Sequence, residues 1–290
     1  MRLLAACIAV LLGGAGSFLF AQRPFGLPPD FVQERLHQRG DRIVFCFHAD
    51  RPTAGFDKAV GEELANALLV EPQFVEFSPR VRTPPLDYRL YMDEEETYIL
   101  LVDRCDAFVG FTLVEEVAQE WLTFTRPYYH SPFVFAVANP DYQRLQDIPA
   151  GSPIGTRLLS AAHIRFSAFL QSLPSDARWR SVPYVDNERL FERLLDGSVE
   201  GIIVWAPALH VLEQTELGHE ASSESDVDLY VIESDPFPGV EVTFTIALRE
   251  RDAFLRTMLD EALVAVIEDG TIHALLEEYG LPGEAGRLGP

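Results

Sequence analysis

The residues that can do chemistry are binders more than reactants. Trp205 closes the apolar run Gly201–Trp205, and a tryptophan at a strand end offers a large flat platform for an apolar or aromatic ligand; a core tryptophan is the other reading. Arg157 closes another short run and can hold an anion. His48 ends the run Arg42–His48, where it can hydrogen-bond a ligand or simply satisfy a strand end. Phe111 and Thr112 end a third run, and in open α/β sheets such strand ends line the ligand crevice. Arg126, Pro127, Tyr128 and Tyr129 combine types that favour cleft walls and interfaces, although Arg126 and Pro127 also read as a structural lead into the next strand. The acidic run Asp93–Glu96 lacks the spacing of a calcium loop and reads as a solvated face.

The motifs of covalent and cofactor chemistry are missing. There is no G-x-S-x-G, no P-loop, no H-E-x-x-H and no C-x-x-C, and no dinucleotide fingerprint beyond the N-terminal apolar segment. Lys58 is the one lysine among 23 basic residues, which leaves Schiff-base chemistry almost no seat. Nothing points to a glutamate acid/base, so the chain reads as a non-enzyme without cofactor or metal. The formal charge of −22 repels nucleic acid and anionic membrane surfaces. With 48% hydrophobic and 23% charged residues, the 290-residue chain is globular and long enough for two domains.

The N-terminus has the parts of an export signal. Met1 and Arg2 precede the apolar run Leu3–Leu12, and small residues follow at Gly13–Ser17. Cleavage is expected after Ala21, with Ser17 as an alternative, and Cys7 comes too early to be a lipid-attachment site. Leu3–Ala21 is also near the length of an uncleaved anchor, but its five small residues favour cleavage; no later stretch reaches membrane-spanning length, so the exported chain is expected in the periplasm without membrane insertion. Cys46 and Cys105 then meet an oxidising compartment, where a disulfide or two buried thiols are both open; their offset places within their runs argue for distance.

The elements that must position these residues alternate between strand and helix. Strands are expected at Arg42–His48, Pro72–Phe77, Cys105–Phe111, Pro132–Asn139, Ser152–Thr156, Trp179–Val185, Gly201–Trp205, Leu229–Glu233 and Val240–Arg249. Helices are expected at Phe56–Leu69, Ser160–Leu170, Asn187–Leu195, Ala253–Glu268 and Thr271–Tyr279, with a helical turn at Val114–Trp121. Residues 22–40 read as a proline-rich arm and 284–290 as a flexible tail; residues 78–97 carry no clear pattern. The alternation predicts an α/β protein of two lobes facing a cleft, each lobe a mostly parallel sheet flanked by helices.

The order of the pieces resembles the type II periplasmic solute-binding proteins, in the family 3 (polar amino acid) branch. The resemblance is carried by GFDKAVGEELANAL (Gly55–Leu68), RCDAFVGF with TRPYY (Arg104–Phe111, Thr125–Tyr129), LQDIPAGSPIGT (Leu145–Thr156), ERLLDGSVEGIIV (Glu192–Val204) and EDGTIHALLEEYG (Glu268–Gly280), in family order. It implies a periplasmic-binding-protein type II fold, with one lobe from 41–132 plus 242–283, a second from 138–238, and hinge crossings near Ser131–Ala138 and Val240–Thr245. A cleft ligand would then meet His48, Asp50 and Arg51 after the first strand, Phe111 and Thr112, Tyr129, and Arg157, Ser160 and Trp205 from the second lobe. The family's carboxylate-binding arginine falls on Ala118 and its ammonium-binding aspartate on Trp205, which removes both charged partners of an amino acid.

A narrower resemblance joins Arg104–Asp106, Thr125–Ser131, Ile203–Pro207 and Glu277–Pro282. These are similar to segments of the binding-protein homologues encoded with quinoprotein (PQQ) alcohol dehydrogenases, although Ala206, Glu200 and Gly201 depart from that pattern. The resemblance implies a non-catalytic accessory of a periplasmic PQQ-dependent dehydrogenase, or a binder of a small ligand. The alternative is the substrate-binding receptor of an ABC transporter, with an ABC permease as partner, for a small polar solute.

Overall fold

The computed structural model describes residues 41–78, 94–113, 119–219 and 228–287. The expected export signal and arm, the 114–118 part of the expected helical turn and Ala118 lie outside the described residues.

The first sheet is organised by β1 (Arg42–His48), whose residues beyond Arg42 are all buried. Burial of both faces explains the unbroken apolar run, the mark of a strand inside a parallel sheet. β1 lies between β2 (Glu71–Phe77) and β3 (Ala107–Leu113), parallel to both. β10 (Glu241–Arg249) then pairs antiparallel with β3 and carries β4 (Leu122–Phe124) at its far end. Ile43 and Phe45 point into a core built with α1 (Ala54–Ala67) and with α6 (Ala253–Glu268) and α7 (Thr271–Glu278) from the end of the chain. Val44 and Cys46 point to the other face, with Leu101, Cys105 and Phe108. Between β2 and β3 lie α2 (Glu94–Ile99) and a π-helical turn, Leu100–Arg104.

The second sheet places β6 (Pro153–Arg157) between parallel β7 (Arg180–Tyr184) and β8 (Gly201–Trp205). On one face Phe135, Ile154 and Ile203 pack with Phe166 and Leu170 of α3 (Ala161–Ser172). On the other, Ala136, Ile202 and Val204 pack with Leu190, Phe191 and Leu194 of α4 (Asn187–Leu195) and Ala208 and Leu209 of α5 (Ala206–His219).

The sheets share one strand. β5 (Tyr129–Val137) pairs with β10 over Tyr129–Pro132 and with β8 over Phe133–Ala136. Residues 133–137, read from sequence as hinge, therefore work inside the second sheet, and β9 (Tyr230–Ile232) lines their other edge. The chain returns beside β5, where Phe133 N–H donates to Val240 O at 2.8 Å. The tail also departs from its reading: Glu284 and Ala285 form β11 on the open edge of β5, opposite His130 and Tyr129, and Gly286 N–H donates to Tyr128 O. The glycines make this possible, since a Cβ at Gly283 or Gly286 would run into the backbone of His130 or Pro127. Among the described residues, no helix is long and apolar enough to cross a membrane.

Cys46 and Cys105 form a disulfide with a Cα–Cα distance of 5.7 Å. The offset in sequence is absorbed because β3 begins only at Ala107, and the turn before it lays Cys105 beside β1. The clamp is doubled by Asp106, whose carboxylate accepts from Val44 N at 2.9 Å while its own N–H donates to Val44 O. The bridge spans 59 residues, for which loop-closure entropy gives about 4 kcal/mol. Urea unfolding of the Cys46→Ala/Cys105→Ala double variant should show a loss approaching that value. Because both cysteines are fully buried, reductant should leave the bridge intact until the chain unfolds.

Candidate functional site

The carboxyl ends of the parallel strands from both lobes meet at the crossing. Thr112, near the end of β3, lies opposite Phe244 of β10. Phe244 in turn stacks on Trp205, the last residue of β8, with ring centroids 5.9 Å apart and planes at 15°. The ends of β3 and β8 therefore meet at the crossing through the Phe244–Trp205 stack, with Arg51 after β1 held beside them on Gly110 O and the end of β6 paired next to β8.

On the first lobe the crevice is underlain by a buried polar cluster. Asp57, in the first turn of α1, is fully buried. Its carboxylate accepts from Thr53 Oγ1 at 2.8 Å and from Tyr128 Oη at 3.0 Å. Burial pushes the Asp57 carboxyl up to about 6, against the pull of these hydrogen bonds and of Arg51. The Tyr128 phenol is pushed well above its ordinary value, first by burial and then by Asp57. Gly110 has φ +78°, and a Cβ there would collide with the Asp57 carboxylate, so glycine is required twice over. Arg51 covers this cluster: its Nη1 donates to Gly110 O at 2.8 Å. Burial lowers the pKa of Arg51, Asp57 and Tyr128 oppose that, and the charge of Arg157 pushes it down further.

On the second lobe Arg157 ends β6 with an exposed side chain. The protein around its exposed head group still removes enough solvent to lower its pKa, and Asp186 partly restores it. Ser160 caps α3, its Oγ accepting from His163 N at 3.1 Å and donating to Arg157 O at 2.8 Å. His163 in turn lies 2.8 Å from Thr156 Oγ1.

Of the residues proposed from sequence, Arg51 is held on Gly110 O close to Thr112, Thr112 lies opposite the Phe244 that stacks on Trp205, and Ser160 is hydrogen-bonded to Arg157 O. Asp50 lies exposed in the turn after β1. Three others turn inward. His48 lies on the Cys46 face of β1, in edge contact with Phe77 and Phe108, and its Nε2 is buried without a partner. Burial and then Arg51 lower its pKa to about 3, so it is neutral at ordinary pH. Phe111 packs on Phe108 and Phe124 because the β3–β10 register shifts beyond Gly110. Tyr129 is fully buried between Phe56 and Phe244.

Tyr129 has a different task. Trp205 Nε1 donates to Ser131 Oγ at 2.8 Å, Ser131 Oγ lies 3.0 Å from Tyr129 Oη, and Tyr129 Oη donates to Pro282 O at 2.7 Å. Indole can only donate and the carbonyl can only accept, so the serine proton goes to Tyr129 and every group is satisfied. Burial raises the Tyr129 phenol to about 12, which keeps it a donor. The chain ties the end of β8, the shared strand and the C-terminal segment at the hinge. The Trp205 platform is thus anchored by its edge and sandwiched on Phe244, contacting the cores of both lobes. Asp57, Gly110, Ser131 and Pro282 were missed from sequence. The available signal was an acid beside Phe56 in line with Gly61 and Ala65, a small-residue stripe that buries it.

No family model matches the chain, and no curated protein matches it. Many solved structures do. A mutant of ArgBP from T. maritima is 18% identical, covering 84% of this chain and 97% of that one, with a TM-score of 0.53. The open substrate-binding domain 2 of GlnP from Lactococcus lactis is 12% identical, covering 85% and 98%, with a TM-score of 0.62. An ancestral cationic amino acid solute-binding protein is 18% identical, covering 84% and 97%, with a TM-score of 0.60. The chain has the two-lobe fold of these binding proteins.

Two variants test this geometry. Between about pH 4 and 6 the unfolded Asp57 carboxyl has lost its proton while the folded one keeps it, so the penalty grows with pH to about 3 kcal/mol. Asp57→Asn should therefore be the weaker protein by urea unfolding at pH 4, with the gap to the wild type narrowing by about that amount by pH 7. A gap independent of pH would contradict a desolvated carboxyl. Ser131→Ala strands the Trp205 and Tyr129 groups together and should cost about 1–3 kcal/mol, with altered tryptophan emission.

Proposed function

We propose that the chain is an exported solute-binding protein that holds a small solute in the cleft between its lobes and closes on it by hinge motion. The observation that carries this is the two-segment crossing between two α/β sheets, at which the carboxyl ends of β3 and β8 meet. The solved structures of this fold named for arginine, glutamate or amino acid transport support a solute-binding role. An amino acid itself suits the cleft poorly. The family's aspartate position is Trp205, which brings no carboxylate to an ammonium, and the arginine position is Ala118. Loss of two charge-assisted bonds costs roughly 1.5–3 kcal/mol each, two to four decades of affinity.

Binding fits better than catalysis. One similar structure is described as a precursor of cyclohexadienyl dehydratase, and a dehydratase needs a carboxylate that touches substrate. Asp57, the acid raised toward neutrality beside this crevice, is fully buried and doubly hydrogen-bonded.

The solute-binding role has two settings. In the first, the protein is an accessory of a periplasmic PQQ-dependent alcohol dehydrogenase. What supports this setting is the resemblance of Arg104–Asp106, Thr125–Ser131, Ile203–Pro207 and Glu277–Pro282 to the homologues encoded with such dehydrogenases. In the second, it delivers its solute to an ABC permease. Native mass spectrometry of the mature protein, gently extracted from its own periplasm, separates them. A dehydrogenase-sized companion is expected for the accessory, and a mass increment of a few hundred daltons for a carried solute. A bare monomer whose scattering profile does not change with any solute would overturn the reading.

A further inference from the structure

We propose that the cleft ligand is a small doubly charged oxyanion, held between the guanidinium groups of Arg51 on one lobe and Arg157 on the other. The proposal rests on the solute-binding reading and names its ligand class. Arg51 spends one N–H on Gly110 O, and a guanidinium has five. The acid beneath it, Asp57, already accepts from Thr53 and Tyr128. Arg157 is served no better. Its acidic neighbour Asp186 is the N-cap of α4, and its Oδ1 is taken by Arg189 N at 2.7 Å. Both arginines thus stand at carboxyl ends of strands with counter-charges that are bonded elsewhere.

The strand register brings both cations to the crossing: Arg51 is held on Gly110 O, two residues before Thr112, whose β10 partner Phe244 stacks on Trp205, and Arg157 follows Thr156, the β6 partner of Ile203 two residues before Trp205. Closure about the hinge brings like charges together unless an anion lies between them. A dianion answers both, with one pair of oxygens for each planar fork. Ser160 adds no hydroxyl, because its Oγ is committed to His163 N and Arg157 O. The chain's own charge of −22 repels bulk anions, so the arginine pair has to recognise its ligand and not merely attract it. Tetrahedral phosphate or sulfate and a short dicarboxylate share this chemistry.

The test is calorimetric titration of the mature chain with potassium phosphate, sodium sulfate and sodium succinate, with alanine and glycerol as comparators. At least one dianion should bind; phosphate or sulfate alone would identify a tetrahedral ligand, succinate alone a dicarboxylate. Arg51→Gln and Arg157→Gln should each weaken that binding about 10–100-fold. Arg157→Lys, which keeps the charge without the fork, should lose less. Arg180→Gln, at the opposite end of the same sheet, should change nothing, and ligand-free melting temperatures check that each variant folds. Binding of alanine or glycerol without any dianion overturns the ligand class but leaves a solute-binding protein. Dianion binding untouched by both arginine substitutions overturns the site. Binding of none of the probes overturns the class, and if no solute is carried from the periplasm either, the solute-binding reading falls with it.

Discussion

One strand belongs to both halves of this molecule. β5 gives its first residues, Tyr129–Pro132, to β10 and its next, Phe133–Ala136, to β8, changing sheets within a single peptide unit. A strand cannot slip its register by one residue without turning every side chain to the wrong face. Each sheet therefore fixes the other's position along β5. The neighbouring contact, Phe133 N–H to Val240 O, gives the returning chain the same status.

The polar groups at this crossing are arranged so that none is left over. Trp205, Ser131, Tyr129 and Pro282 form a one-way run of donors ending at a carbonyl. Asp57, Thr53 and Tyr128 form a second group below the cleft. Buried polar clusters of this kind stabilise little on balance but are costly to break, because each lost partner strands another group. They make the first lobe a rigid wall and place Arg51 on it. The wall is stiffened again by the Cys46–Cys105 bridge on the opposite face of β1.

Much of the scaffold was legible in the residues. β1 and β8 are short runs buried on both faces, and α4 carries Leu190, Phe191 and Leu194 as a clear stripe. α5 was not, because Pro207 looks like an end although proline is tolerated in the first turn of a helix. β4 and β11 are too short to have a pattern and exist only because an edge was waiting for them. At the site, the strand-end rule pointed to Arg157 and Trp205, and the family resemblance to Arg51. It could not tell Tyr128 from Tyr129, since their partners are Asp57, 71 residues away, and Pro282, 153 residues away. His48 was misdirected by alternation: the parity that buries Cys46 also turns His48 away from the α1 side.

The shared strand also sets an order of assembly. The second sheet is made from one continuous stretch, β5 to β9, and can pair as soon as that stretch exists. The first cannot. β1 and β3 wait for β10, and the core they face is filled by α6 and α7, so its contacts span most of the chain. Long-range pairings of this kind close slowly and leave strand edges open meanwhile. The short strand β11, which follows α7, then seats against Tyr129 and His130 and secures the joint between the halves only after both sheets have formed.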